Sequence, residues 1–169
     1  MDGDVDAKRQ RIDFRRQFNE DLFLAISHLK DVKYIHIRRF VQVNDGRWIP
    51  TRVGVTFTER RFAMLREIQP ELDSRYFQWQ NCLEVEQFER FIGGGWYVKI
   101  DPSSLQVDFR KYFCSGKDSG HRRPTRTGVS FHIKDWRILA EYVEELCDLD
   151  PQLRETTTCL DTHDSQDQM

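Results

Sequence analysis

Apolar residues recur at every second position in several short runs of this chain. Leu22, Leu24 and Ile26 alternate with other residues, and Ile35 and Ile37 alternate with His36 and Arg38. Trp96, Val98 and Ile100 follow the same rule, as do Leu105, Val107 and Phe109. A two-residue period places alternate side chains on one face of an extended backbone, so each run predicts a strand with one buried face. Turns are expected at Lys30-Asp31, at Asn44-Asp45-Gly46 and at Asp101-Pro102-Ser103-Ser104. Gly54 lies inside the next predicted strand, where it signals a bulge or a close backbone approach. Thr58 is a good N-cap for a helix carrying Phe62, Leu65 and Ile68 on one side. A further strand is expected over 125–131. Trp136, Leu139, Ala140, Val143 and Leu146 then recur at helical spacing. Between these groups, 82–92 predicts an amphipathic helix ahead of Gly93-Gly94-Gly95. The polar stretch after Asp150 predicts no fixed structure.

The pattern occurs twice. Pro50-Thr51-Arg52-Val53-Gly54-Val55-Thr56-Phe57 matches Pro124-Thr125-Arg126-Thr127-Gly128-Val129-Ser130-Phe131 at six of eight positions, too many for chance when the flanks agree as well. Phe62 and Leu65 align with Trp136 and Leu139 at the same offset. Upstream, Ile35-His36-Ile37-Arg38-Arg39-Phe40 aligns with Val107-Asp108-Phe109-Arg110-Lys111-Tyr112, so the second copy has two extra residues in its loop. The chain reads as two copies of one strand-rich unit ending in a helix.

Charge sharpens this division. The 169 residues carry a net charge of −2, which at first argues against a polyanionic partner. The charge is segregated, however. Residues 8–66 hold 14 Lys/Arg against 6 Asp/Glu, and residues 96–139 hold 9 against 4, so both repeated units are basic. Residues 140–169 hold 1 against 9, giving an acidic tail. Local fields of this kind, rather than the total, govern association with a polyanion. The apolar runs are too short for a membrane span, and the acidic N-terminus has no apolar core of a secretory signal.

The order of these elements resembles the C-terminal domain of the transcriptional coactivator positive cofactor 4. The residues carrying the likeness are two alternating strands, the Ile37-Arg38-Arg39-Phe40 strand, a turn, the Arg52-Val53-Gly54-Val55-Thr56 strand and the amphipathic helix. The resemblance implies an α+β fold of two β-β-β-β-α units, each a curved antiparallel four-stranded sheet plus a helix, paired within the chain as a pseudo-dimer. It divides the chain into an arm (1–19), a first unit (20–69), a linker with a helix (70–93), a second unit (94–148) and an acidic disordered tail (149–169). It further implies binding of single-stranded DNA or melted duplex, a role in transcription or in replication and repair, and a nuclear location. RNA as an alternative strand, further transcription proteins as partners, and pairing between chains as a homodimer are left open.

Single-strand binding needs cations along the phosphates and rings on which bases stack. The candidates are Arg38, Arg39, Phe40, Arg47, Trp48 and Arg52 in the first unit. In the second they are Lys99, Arg110, Lys111, Tyr112, Phe113, Lys117, Arg122, Arg123 and Arg126. Arg38 and Arg110 match the family's strand arginine, and Arg52 and Arg126 its basic position before the strand glycine. The next basic position is Val53 or Thr127 here, and the stacking aromatic is Phe113 in one unit but Val41 in the other. The hairpin tips, Leu29-Lys30 and Pro102-Ser103, also depart from the family. These departures favour a rival reading, a protein-interaction adaptor that kept the fold and lost most nucleic-acid contact.

Catalytic patterns are missing from the sequence. Cys82, Cys114, Cys147 and Cys159 form no Cys-x-x-Cys pair, and the histidines have no ligand spacing, so neither a metal nor a cofactor is expected. Gly93-Gly94-Gly95-Trp96 lacks the Lys-Ser/Thr of a phosphate loop. The expected protein is not an enzyme.

Overall fold

The computed structural model describes residues 11–114 and 122–156. Among these residues, eight strands form two antiparallel sheets. The first contains β1 (Arg15–Gln17), β2 (Leu22–Leu29), β3 (Val32–Gln42) and β4 (Trp48–Phe57), in that spatial order. It is followed by helix α1 (Glu59–Gln80). The second contains β5 (Phe88–Gly93), β6 (Trp96–Asp101), β7 (Gln106–Cys114) and β8 (Arg122–His132), also in chain order. A 3-10 turn (Ile133–Asp135), helix α2 (Trp136–Leu149) and a single turn α3 (Gln152–Glu155) complete it. The fold is thus α+β, with two similar four-stranded units each ending in a helix.

Alternation builds the core as expected. Leu22, Leu24, Ile35, Ile37, Val55 and Phe57 of the first sheet are buried, as are Val98, Ile100, Val107, Phe109, Val129 and Phe131 of the second. Thr58 caps α1, its side chain accepting from the Arg61 N–H at 3.3 Å. Both sheets and both helices share one apolar cluster. The ring centroids of Phe57 (β4) and Phe109 (β7) lie 5.9 Å apart in an edge-on contact that joins the units. Fully burying one such ring contributes roughly 1.5–3 kcal/mol.

The helices reach across to the opposite unit. Arg75 of α1 is 8 % exposed; it donates to the carbonyls of Glu86 and Gln87 and stacks over the Phe88 ring at the start of the second sheet. Reciprocally, Arg16 of β1 pairs with Glu145 of α2 at 2.8 Å. Strands β4 and β8, which are equivalent in the repeat, pack against each other, as do α1 and α2. Equivalent elements meeting their counterparts is the arrangement of a two-fold dimer, realised here within one chain.

Two expectations are overturned. The stretch after Asp150, expected to be without fixed structure, begins with the turn Gln152–Glu155, in which Leu153 is fully buried against the core. Residues 88–93 form strand β5, not the end of an amphipathic helix, and α1 extends to Gln80. Phe88 and Ile92, four residues apart, imitate a helical period. Both are nevertheless buried from an extended strand that pairs with β6. Gly93, Gly94 and Gly95 all have positive φ, and they turn the chain tightly between the two strands.

Candidate nucleic-acid interface

On each sheet the residues between the core positions form an outer face. In the first unit, Phe23, Ala25 and Phe40 make a separate small apolar cluster on that face, with Trp48 packed against it. The Phe23 ring lies 4.6 Å from Phe40 and 5.3 Å from Trp48. The Arg15 guanidinium stands over the Phe40 ring at 4.4 Å. Beside these rings a groove of about 600 Å³ is lined by Asp13, Arg15, Ser27, His36, Arg38 and Arg52, among others. Arg38 and Arg52 also border a smaller cleft that reaches Trp96 and Thr127 of the second unit.

Arg38 is held by uncharged partners. It donates to the Thr51 carbonyl at 3.0 Å and to Thr56 Oγ1 at 2.8 Å. Burial lowers its pKa, as expected for a cation with no adjacent anion. Its same-face neighbour His36 lies between Ser27 Oγ (2.7 Å) and Thr56 Oγ1 (3.0 Å). Burial, and then the charge of Arg38, lower the imidazole to about 4, so it is neutral at pH 7.

The second unit places Tyr97, Tyr112 and Phe91 on its outer face. Tyr97 lies 5.0 Å from Tyr112 and 5.2 Å from Phe91. Lys99 stands over Tyr112 at 4.6 Å and Arg122 over Tyr97 at 4.4 Å. Here three of the cations, Arg110, Arg122 and Lys99, lie against carboxylates. Arg110 donates to both oxygens of Asp108, at 2.9–3.2 Å, and this hydrogen bonding raises its pKa. Glu89 pairs with Arg122 at 3.1 Å and lies 3.8 Å from Lys99.

The fold brings Arg38, Phe40, Trp48 and Arg52 onto one face, and Lys99, Arg110, Tyr112 and Arg122 onto the other. Arg39 is directed elsewhere: it pairs with Asp21 at 2.6 Å and donates to the Ser130 carbonyl, tying the two units together. Arg47 is exposed in the β3–β4 turn and pairs with Asp45. Lys111, Arg123 and Arg126 are exposed, and Phe113 is exposed near the end of β7. Lys117 lies outside the described residues. Sequence reasoning missed Arg15, Phe23, Phe91 and Tyr97. Phe23 and Tyr97 occupy the alternate positions of runs already recognised as strands, which was signal enough to find them. Arg15 belongs to a three-residue strand with no apolar alternation.

Among the described residues, no group of three or more His, Cys, Asp or Glu is placed to hold a metal ion. No described helix is long and apolar enough to cross a membrane. Residues 17–68 match the family model described as Transcriptional Coactivator p15 (PC4). The matched span begins at the end of β1 and ends within α1, so it contains most of the groove lining. No curated protein matches the sequence.

Proposed function

Since residues 17–68 form a domain of the transcriptional coactivator p15 (PC4) family, we propose that this protein binds single-stranded DNA or locally melted duplex on the outer faces of its sheets. The observation that carries this reading is the groove of the first sheet, where Arg38 and Arg52, without an ion-pair partner among the described residues, flank the Phe23, Phe40 and Trp48 cluster. Cations there track phosphates, and the adjoining rings offer flat surfaces to unpaired bases. A duplex keeps its bases stacked on one another and presents no free ring face, so unpaired strands are favoured. The cellular role is that of a transcriptional coactivator acting in the nucleus, with replication or repair as further settings in which single strands occur.

The test is a fluorescence-anisotropy titration with an unstructured oligonucleotide and its duplex. Binding is expected to favour the single strand and to weaken steeply between about 50 and 200 mM salt as counterion release is lost. The adaptor reading is favoured by Leu29, 63 % exposed at the first hairpin tip, and by Val41, 51 % exposed where the family has a stacking aromatic. No binding to either oligonucleotide at low salt would select the adaptor.

A further inference from the structure

The repeat allows the two outer faces to be compared position by position. His36 pairs in register with Ala25 across β2–β3, and Asp108 pairs with Lys99 across β6–β7. Both lie two residues before the strand arginine, on the same face. The first unit thus places a neutral imidazole beside Arg38, and the second a carboxylate beside Arg110. That carboxylate grips Arg110 through three N–H···O contacts, whereas Arg38 spends its donors on a carbonyl and a hydroxyl. Glu89 similarly holds Arg122, which covers the Tyr97 ring, and lies close to Lys99, which covers the Tyr112 ring. The first face has a covering cation too, Arg15 over Phe40, but its side-chain hydrogen bond goes to the Trp48 carbonyl and not to an acid. Asp13 also lines this groove, and among the described residues no ion pair joins it to an arginine of the first face.

We propose that the pseudo-dimer is functionally one-sided: the first sheet takes the nucleic-acid strand, and the second is closed to phosphate by its own carboxylates, Asp108 and Glu89. This rests on the single-strand-binding reading above. A phosphate approaching Arg110 must displace a bidentate carboxylate and meets the repulsion of the displaced acid. At Arg38 it meets a guanidinium that still lacks an anion. One chain therefore holds one short strand, although its fold offers two similar faces. The second face retains the rings and cations of a binding surface in a latent form.

The experiment measures stoichiometry and affinity for an oligothymidylate of about eight nucleotides, at low salt, with the full chain and two variants. Wild type is expected to bind one oligonucleotide per chain. The double variant Asp108→Asn with Glu89→Gln should bind a second. Its salt slope, followed with a longer oligonucleotide, should steepen by about one to two counterions. His36→Asp installs the second face's clamp beside Arg38 and should weaken binding about tenfold or more, with retained folding verified by circular dichroism. Because the double variant gains binding, a folding defect cannot mimic its expected result. Two equivalent strands per wild-type chain, or a double variant that still binds one with unchanged affinity, would overturn the one-sided assignment while leaving single-strand binding standing. Absence of binding by wild type overturns the functional reading itself, and the one-sided assignment with it.

Discussion

Gly54 lies directly against Arg38 across the β3–β4 ladder, closer than any side chain at position 54 would allow. A Cβ there would sit 2.7 Å from the Ile37 carbonyl oxygen and 2.9 Å from Arg38 Cα. The second unit repeats the contact between Gly128 and Arg110, where the added atom would fall 2.3 Å from the Phe109 carbonyl oxygen. Beside each glycine the strand register shifts, between Arg38 and Phe40 and between Arg110 and Tyr112. Each shift is braced by a threonine. Thr51 Oγ1 donates to the Arg39 carbonyl and Thr125 Oγ1 to the Lys111 carbonyl, at 2.9 and 2.7 Å. Each threonine also lies next to the arginine, since Arg38 and Arg110 donate to the carbonyls of Thr51 and Thr125 respectively. The shared Pro-Thr-Arg-x-Gly-Val motif is therefore the chemistry of a bulge that aims an arginine out of the sheet.

Substituting either glycine by alanine forces the paired strands apart at that bulge. Gly54→Ala and Gly128→Ala are each expected to destabilise the fold by about 2–4 kcal/mol, with Gly128→Ala the worse because its clash is tighter. Denaturant unfolding measures both, and an alanine tolerated within about 0.5 kcal/mol at either site would contradict the close-approach argument.

His36 gives the fold a defined response to acid. Its imidazole is held neutral to about pH 4 in the folded protein, against an ordinary value of 6.5 when unfolded. Below pH 6.5 the unfolded chain thus binds a proton that the folded chain refuses. The associated stability is complete above pH 6.5 and is lost as pH falls toward 4. Thermal melts from pH 7 to 4 should show a steeper loss for wild type than for His36→Gln, which keeps hydrogen-bonding capacity without the titration. Parallel curves for the two proteins would remove His36 from this role.

Much of this is legible in the sequence. Strands β2, β3, β6 and β7 follow directly from alternation, and the repeated motif already matched Gly54 to Gly128 and Arg38 to Arg110. Strand β1 was not legible, because Arg15-Arg16-Gln17 has no apolar member to set a period. Strand β5 misled, because two buried residues four apart satisfy a helix as well as a strand. The site was half visible. Arg39 adjoins Arg38 in sequence, but strand alternation sends it to the opposite side, where Asp21 and Ser130 hold it. The Asp108–Arg110 pair was readable as two same-face residues in a strand. Its consequence emerges only from the distances, which place the carboxylate on the Nε–Nη2 edge of the guanidinium.

Lys33 and Asp150 form a buried ion pair at 2.6 Å that fastens β3 of the first unit to the end of α2, with Gln152 accepting a further hydrogen bond from the ammonium at 3.0 Å. Removing one partner leaves the other charge buried and uncompensated. Lys33→Met or Asp150→Leu alone should cost about 3–5 kcal/mol, whereas the double substitution should recover most of that loss. A double-mutant cycle by chemical denaturation measures the coupling. Additive losses would mean that the two groups do not depend on each other.

The same cross-unit logic predicts that neither half folds as a monomer. Phe57 of the first unit packs on Phe109 of the second, Trp136 of α2 donates to Asp73 of α1 at 2.7 Å, and Arg75 of α1 is buried against the start of the second sheet. A fragment of residues 11–81 loses all three contacts and exposes the apolar side of its own sheet and helix. Because the missing half resembles it, a second copy can supply an equivalent surface. The fragment is therefore expected to be a homodimer when folded and to unfold on dilution, with a melting temperature that rises with protein concentration. Sedimentation equilibrium combined with circular dichroism decides this. A fragment that stays folded and monomeric at low micromolar concentration would show that the first unit is self-sufficient and that its pairing with the second is incidental to folding.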